Sequence, residues 1–408
     1  MQTSTRGGTL AVILNKCMDI NKVRKDTIGC TNKIFLNSAG SSLMPKIVVE
    51  KMVNYINQEE QLGGYDTADK NHRQINEFYE EVAKLLNCHT SNIAFAYNAT
   101  DAYAKALSSI IFNEGDIILT TTDDYVSNHI AFISLQKRLN LKVVRIKNLS
   151  DNEIDLEDLE TLIKKHKPKL VAVTHIPTSS GLIQNIEGVG KICKMYDILY
   201  LVDACQSVGQ ISIDVQKIGC DFLTATGRKF LRGPRGTGFL YVSTKVLDSK
   251  LTPLFVDLRG ALWTNFDDFE VSKDAKRFEH WEMSYSSLVG LAEAIRYANL
   301  IGLKDIEKYN SQLSNTLRVQ LSENPKLKVL DKGNRLGSII TFCKTNGDTS
   351  EITNLLNENS VSFSISKKEY ALIDFTNKKI NSAVRLSPHY FNTKEEIYKI
   401  VEILTKIK

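Results

Sequence analysis

No two of the seven cysteines stand at C-x-x-C spacing, and no pair of the seven histidines forms H-x-x-x-H or H-E-x-x-H. Zinc motifs and a disulfide framework are thereby excluded. The odd, scattered cysteines (17, 30, 88, 193, 205, 220, 343) suit small apolar side chains kept reduced in a cytoplasm. Proline is scarce, 7 in 408 residues, which excludes collagen-like and low-complexity chains. Long apolar runs are missing too. Nothing approaches the roughly 18 residues of a membrane span. The run Leu10–Leu14 is broken by Asn15 and Lys16, short of the roughly 7–15 residues of a secretory core. Charge of one sign is also lacking: 52 basic against 47 acidic residues leave +5, too little to argue for nucleic acid or an anionic membrane. With 42% hydrophobic residues the chain has ample material for a core, so disorder is excluded.

Between about 90 and 245, strand-length apolar runs alternate with helical patterns. The strands are expected at 93–97, 116–121, 142–146, 169–175, 198–203, 221–226 and 236–242. Several are apolar on both faces, as a parallel sheet covered by helices requires. Helices are expected at 101–111, 128–139, 156–165 and 186–196. This is an α/β pattern with right-handed crossovers. After about 290 the pattern changes to long helices (287–301, 304–322), then short strands, ALIDFT (371–376) among them, and further helices. The expected division is a large domain over 35–285, a smaller α+β domain over 286–408, and a segment 1–34 packing on the small domain or a neighbouring chain.

Ligands of an open α/β sheet bind beyond the carboxyl ends of its strands, so the residues after each apolar run matter most. Asp203 ends ILYLV and is followed by Gln206. Alone, such an Asp is as readily a helix cap. Lys229 stands between a strand and the return Gly233-Pro-Arg-Gly-Thr-Gly238, which lacks the G-x-G-x-x-G order of a dinucleotide loop. Alone, such a lysine is a solvated charge. Together they support one chemistry. A confined lysine condenses with a carbonyl, and if that carbonyl is pyridoxal phosphate, an Asp must pair with its protonated ring nitrogen. Asn98-Ala99-Thr100 at a strand-to-helix turn supplies phosphate donors, and Thr226 and Arg228 flank the lysine.

The segments FLNSAGSSLMP (35–45), NATDAY, THIPTSSG, LVDACQSVG, CDFLTATGRKFLRGPRGTGFLYV, RFEHWE and RLSPHYFNT follow one another in a fixed order. In this the chain resembles the class V aminotransferase family of fold type I pyridoxal-phosphate enzymes, which includes cysteine desulfurases and isopenicillin-N epimerase. The resemblance implies a large domain with a mostly parallel seven-stranded sheet, a smaller α+β domain and a homodimer. It implies Lys229 as the cofactor-bearing lysine, Asp203 on the ring nitrogen, and Gln206 on the ring hydroxyl. Tyr125 would stack on the ring. Ala99, Thr100, Thr226 and Arg228 would bind the phosphate, with Thr178 a further cofactor contact. Arg385 would take the substrate α-carboxylate, helped by Ala39 and Gly40. The substrate is expected to be an amino acid or amine.

Where the family's desulfurases carry a nucleophilic cysteine, this chain reads SKKEYALIDFTNKKINSAVRLSP, without one. The expectation is therefore an aminotransferase first, a C–S or other β-eliminating lyase second and an epimerase third, with persulfide-forming desulfuration disfavoured. A non-enzymatic binding protein on the same scaffold is the competing class, opposed by the retained lysine, aspartate and arginine. The family's Gly-Thr after Arg-Phe-Glu is replaced by His280-Trp281-Glu282, so no phosphate contact across a dimer is assigned there. Gly63-Gly64-Tyr65 reads as an early polar loop, either at a substrate entrance or an ordinary turn.

Overall fold

A computed structural model describes residues 18–249 and 251–408. The Leu10–Leu14 run, Cys17 and the first half of the 1–34 segment lie outside the described residues. The seven runs expected between 90 and 245 form one sheet: β1 (Ile93–Ala96), β2 (Ile117–Thr120), β3 (Lys142–Arg145), β4 (Leu170–Thr174), β5 (Leu199–Asp203), β6 (Phe222–Thr226) and β7 (Gly238–Val242). Its order is β1-β7-β6-β5-β4-β2-β3. β7 runs antiparallel to both its neighbours, and the pairs among β2 to β6 are parallel. Strands β4, β6 and β7 are buried at every position, because helices cover both faces. On one face Val171, Val173, Tyr200 and Leu223 pack with Ile163, Val189 and Leu291. On the other, Ala172, Leu201, Phe222 and Leu240 pack with Tyr103, Ala106 and Phe132. Parallel strands finish at one edge, so Thr174, Asp203 and Thr226 emerge together there.

The helices after β1 and β2 are α1 (Ala99–Ser109) and α2 (Val126–Leu139), each starting two residues earlier than the apolar pattern suggests. At α1 the Asn98 side chain caps the start, and the polar first turn carries no apolar signal. Helices Lys46–Leu62 and His72–Leu86 were not anticipated. The second buries Ile75, Phe78, Tyr79, Val82 and Leu86 at helical spacing, so its signal was present but lay among charged residues. Gly63 joins the first of these to a short helix, Gly64–Lys70, at φ 79°, a conformation suited to glycine. Tyr65 there is exposed.

Strands β8 (Leu327–Val329), β9 (Ile340–Lys344), β10 (Ser364–Lys367) and β11 (Ser382–Leu386) form an antiparallel sheet of order β8-β9-β11-β10. Helix residues Leu313, Leu317, Ile397 and Ile400 cover it. Ile34–Phe35 pairs with Val361–Ser362, and Val23 and Cys30 pack against Ile306, Tyr390 and Phe391. The segment ALIDFT is not a strand: Leu372–Lys378 is a helix. Phe375 plugs it into the cluster of Leu330, Cys343 and Ile380, and Lys378 pairs with Asp374 one turn back at 2.8 Å. A single anchoring aromatic and an i,i+4 ion pair outweigh the β-branched character of the run. No helix of the described residues is long and apolar enough to cross a membrane.

Candidate active site

At the carboxyl edge of the sheet a cavity of about 160 Å³ is lined by Ala99, Thr100, Tyr125, Thr178, Asp203, Gln206, Thr226, Arg228 and Lys229. Each was expected from sequence, and together they come from the ends of five strands or the turns after them. The close approach of strand and helix there depends on Gly238. A Cβ at that position would lie 2.5 Å from the Ala225 carbonyl oxygen and 3.0 Å from the Asn98 backbone carbon. The turn that opens α1 can therefore sit directly on β7. Asn98 Oδ1 accepts the Asp101 N–H at 2.9 Å, which leaves the first-turn amides of α1 as donors for an anion.

Asp203 emerges buried from β5. Its Oδ1 accepts the Cys205 N–H at 2.9 Å, and its Oδ2 accepts from Asn128 Nδ2 at 3.0 Å. Asn128 belongs to the first turn of α2 and had escaped the sequence reading; one helical turn after Tyr125 was the only signal. Asn98 lines the cavity as the strand-to-helix turn led one to expect, and Thr174, Ile176 and Cys205 line it without a role assigned from sequence.

Lys229 is only 8% exposed. It sits in a tight return in which the Arg232 N–H donates to the Lys229 carbonyl at 2.9 Å and the Gly233 N–H to the Gly227 carbonyl at 2.8 Å. Arg232 takes a left-handed conformation (φ 61°), and its wholly buried guanidinium stacks over Tyr390 and Phe391, which anchors the return. Burial pushes the Lys229 amine below its ordinary pKa, with Cys205 and Asp203 pulling the other way. The Tyr125 ring centroid lies 5.8 Å from Lys229 Nζ.

Arg385, Ala39 and Gly40 do not line this cavity but are tied to residues that do. Arg385 Nη1 donates to Thr178 Oγ1 at 2.8 Å and to the Thr178 carbonyl at 3.0 Å. Gln206 Nε2 donates to the same Oγ1 at 2.9 Å and to the Ala39 carbonyl at 3.2 Å. The Arg228 guanidinium donates to the Gly40 carbonyl. Burial, reinforced by the Arg228 charge, brings the Arg385 pKa down to about 10. Two guanidiniums and an ammonium thus crowd a buried space, a charge balance that favours an anionic ligand. Two buried polar atoms lack a partner here, Gln206 Oε1 and Arg385 Nε. Leaving such atoms unpaired costs about 1–3 kcal/mol each, which a ligand would recover.

An α/β sheet with a buried lysine and a strand-end aspartate converging on a cation-rich cavity defines a class of cofactor-dependent enzymes. The chain belongs to the aminotransferase class-V family, which it matches over residues 34–400. It is 28% identical over 397 residues to a probable cysteine desulfurase of Methanothermobacter thermautotrophicus, covering 96% of this chain and 98% of that one. It is 30% identical to a probable cysteine desulfurase of Borreliella burgdorferi, with 92% and 91% covered. The apo structure of a cysteine desulfurase from Thermococcus onnurineus NA1 superposes with a TM-score of 0.86 at 27% identity, over 94% of this chain and 96% of that one. The family's cofactor is pyridoxal 5'-phosphate, and the fold is that of fold type I enzymes. The cavity fits that group: a buried amine, a buried carboxylate, open amides at a helix start, and unpaired polar atoms on Gln206 and Arg385.

These relatives correct the functional expectation. Transamination had been placed first and persulfide-forming desulfuration set aside, on the want of a cysteine in one stretch. The stretch that lacks the cysteine forms a 3-10 turn and the helix Leu372–Lys378 rather than a strand.

Proposed function

We propose that the protein is a pyridoxal-phosphate-dependent cysteine desulfurase, removing sulfur from L-cysteine to leave alanine. The observation that carries this reading is the convergence of Lys229, Asp203 and the Arg385–Thr178 contact on one buried cavity, in a chain whose relatives are named cysteine desulfurases.

When bound, pyridoxal phosphate supplies a carbonyl that condenses with an amine and a cationic ring that draws electrons from bonds at the amine-bearing carbon. With pyridoxal phosphate bound, the buried Asp203 carboxylate, fixed on both oxygens, would keep a proton on its ring nitrogen. The start of α1, with Thr226 and Arg228, would hold the phosphate. Tyr125 would cover the ring and Gln206 would meet its hydroxyl, while Thr178 holds both Gln206 and Arg385. Arg385 grips the α-carboxylate through the edge that Thr178 leaves free, a task suited to the planar guanidinium. Lys229, neutral for a larger share of the time than an exposed lysine, moves protons at the substrate α- and β-carbons.

A homodimer working in the cytoplasm completes the reading. The hairpin of Ala261–Asn265 and Asp268–Val271 carries Trp263 at 74% and Phe266 at 94% exposure, beside exposed Phe255 and Leu258. So large an apolar face on one chain favours a second copy as its cover. The free cysteines at 30, 88, 193, 205, 220 and 343 accord with a reducing compartment.

The test is product analysis. The loaded protein given L-cysteine and a reducing thiol should yield alanine in step with released sulfur. Pyruvate with ammonia, or a keto acid with aminated cofactor, would refute the reading.

A further inference from the structure

A cleft of about 560 Å³ lies apart from the catalytic cavity, and no residue lines both. One wall is the helix Leu303–Glu323; the other is the segment 334–338 with Gln210 and Ile211. Its charge is one-sided. Lys304, Lys308 and Arg335 line it against a single carboxylate, Glu307. None of these cations takes part in an ion pair among the described residues. Glu307 is already engaged, because its Oε2 accepts the Ser212 N–H at 3.1 Å. Asp151 and Glu153, which reach Asn334 from outside the lining, are engaged by its side chain at 2.9 Å and its N–H at 3.4 Å.

Asn310 lines the same cleft at 2% exposure, and its Oδ1 has no partner. The orientation of that amide is fixed. His389 Nε2 faces the Phe230 carbonyl at 2.8 Å, so that nitrogen carries the ring proton and Nδ1 accepts from Asn310 Nδ2 at 3.1 Å. Oδ1 is therefore an acceptor in want of a donor. Gln210 cannot turn to supply one: its Oε1 accepts the Ser338 N–H at 2.8 Å, and its Nε2 donates to the Gln206 carbonyl.

We infer that this cleft binds a small dianion that also carries an O–H or N–H donor, with its charges on Lys304, Lys308 and Arg335 and its donor on Asn310 Oδ1. Three cations against one carboxylate leave an excess of two positive charges, which a dianion balances. A hydroxylated dicarboxylate and a hydroxylated phosphate monoester share this chemistry. The inference stands apart from the desulfurase reading, since the cleft has no lining residue in common with the catalytic cavity.

Calorimetric titration of the cofactor-loaded protein at constant ionic strength tests this, with L-malate and glycerol 3-phosphate as probes. At least one should bind at one site per chain, and the tighter of the two tells dicarboxylate from phosphate monoester. Lys308→Glu and Arg335→Glu should each weaken that binding at least 10-fold. Lys399→Glu, the same change of charge on the exposed side of helix Lys394–Thr405, should leave it unaltered, and so should Arg385→Lys. The probe stripped of its hydroxyl, succinate or propyl phosphate, should bind about 5-fold more weakly, the loss of one hydrogen bond. No saturable binding of either probe, an equal loss in Lys399→Glu, or a loss in Arg385→Lys without one in Lys308→Glu would overturn the inference. So would hydroxyl-free probes that bind as tightly as the hydroxylated ones.

Discussion

Asn128 Nδ2 donates to Asp203 Oδ2 at 3.0 Å, so the first turn of α2 steadies the carboxylate that ends β5. With the Cys205 N–H on the other oxygen, the carboxylate cannot rotate away from the cavity. Hydrogen bonds to charged groups contribute about 1.5–3 kcal/mol, so Asn128→Ala should weaken pyridoxal phosphate binding by roughly 10- to 100-fold. Equilibrium titration of the bound chromophore measures this. Asp203→Ala should be worse than Asn128→Ala, since it removes the charge itself.

Arg385, from a different sheet, is held beside the cavity by Thr178, which lines it. Arg385→Lys keeps charge but loses the planar fork, and should raise the KM for cysteine about 10-fold or more, with a smaller change in kcat. Thr178→Val should move KM in the same direction, because the guanidinium loses its hydroxyl partner. Steady-state kinetics with alanine as the readout separates the two constants.

Gly238 leaves no room for a side chain between the Ala225 carbonyl and Asn98. Overpacking against backbone costs about 1–3 kcal/mol, so Gly238→Ala should lower the thermal midpoint. It should also weaken cofactor affinity, since the turn that opens α1 is what must shift. A purely structural defect would move the midpoint alone.

Two buried histidines make stability fall in acid. Burial, with Arg335 beside it, holds the His175 pKa down to about 3, and burial holds His389 well below its ordinary value. The unfolded chain takes up a proton on each near pH 6.5, whereas folded His175 does so only near 3. The unfolded state therefore binds more protons in that window, and stability drops as pH falls through it. Asp123 has the opposite sign: its pKa is pushed up to about 7, so the folded state keeps a proton that the unfolded state loses. Thermal midpoints between pH 7.5 and 5 should fall less steeply in His175→Gln than in the parent protein, provided the variant folds.

The large sheet was legible because its strands are buried on both faces, which leaves uninterrupted apolar runs such as LVAVT and FLTAT. The cavity was legible for the same reason: chemistry-bearing residues sit immediately after those runs. Helix Leu372–Lys378 was not, since a short run anchored by Phe375 has the composition of a strand and only its tertiary partners decide. Asn128 was hidden because its role depends on a contact between elements 75 residues apart. The cleft lined by Lys308 and Arg335 had no sequence signal, because it is a space between a helix and segments far apart along the chain.

The central claim is that Lys229, in this cavity, carries the cofactor chemistry. Peptide mapping by mass spectrometry after borohydride treatment of the loaded protein tests it most directly. The account predicts the pyridoxyl mass on the peptide containing Lys229, and a colourless Lys229→Ala protein with no such adduct. A fixed adduct on any other lysine of the parent protein, with Lys229 unmodified, would contradict it.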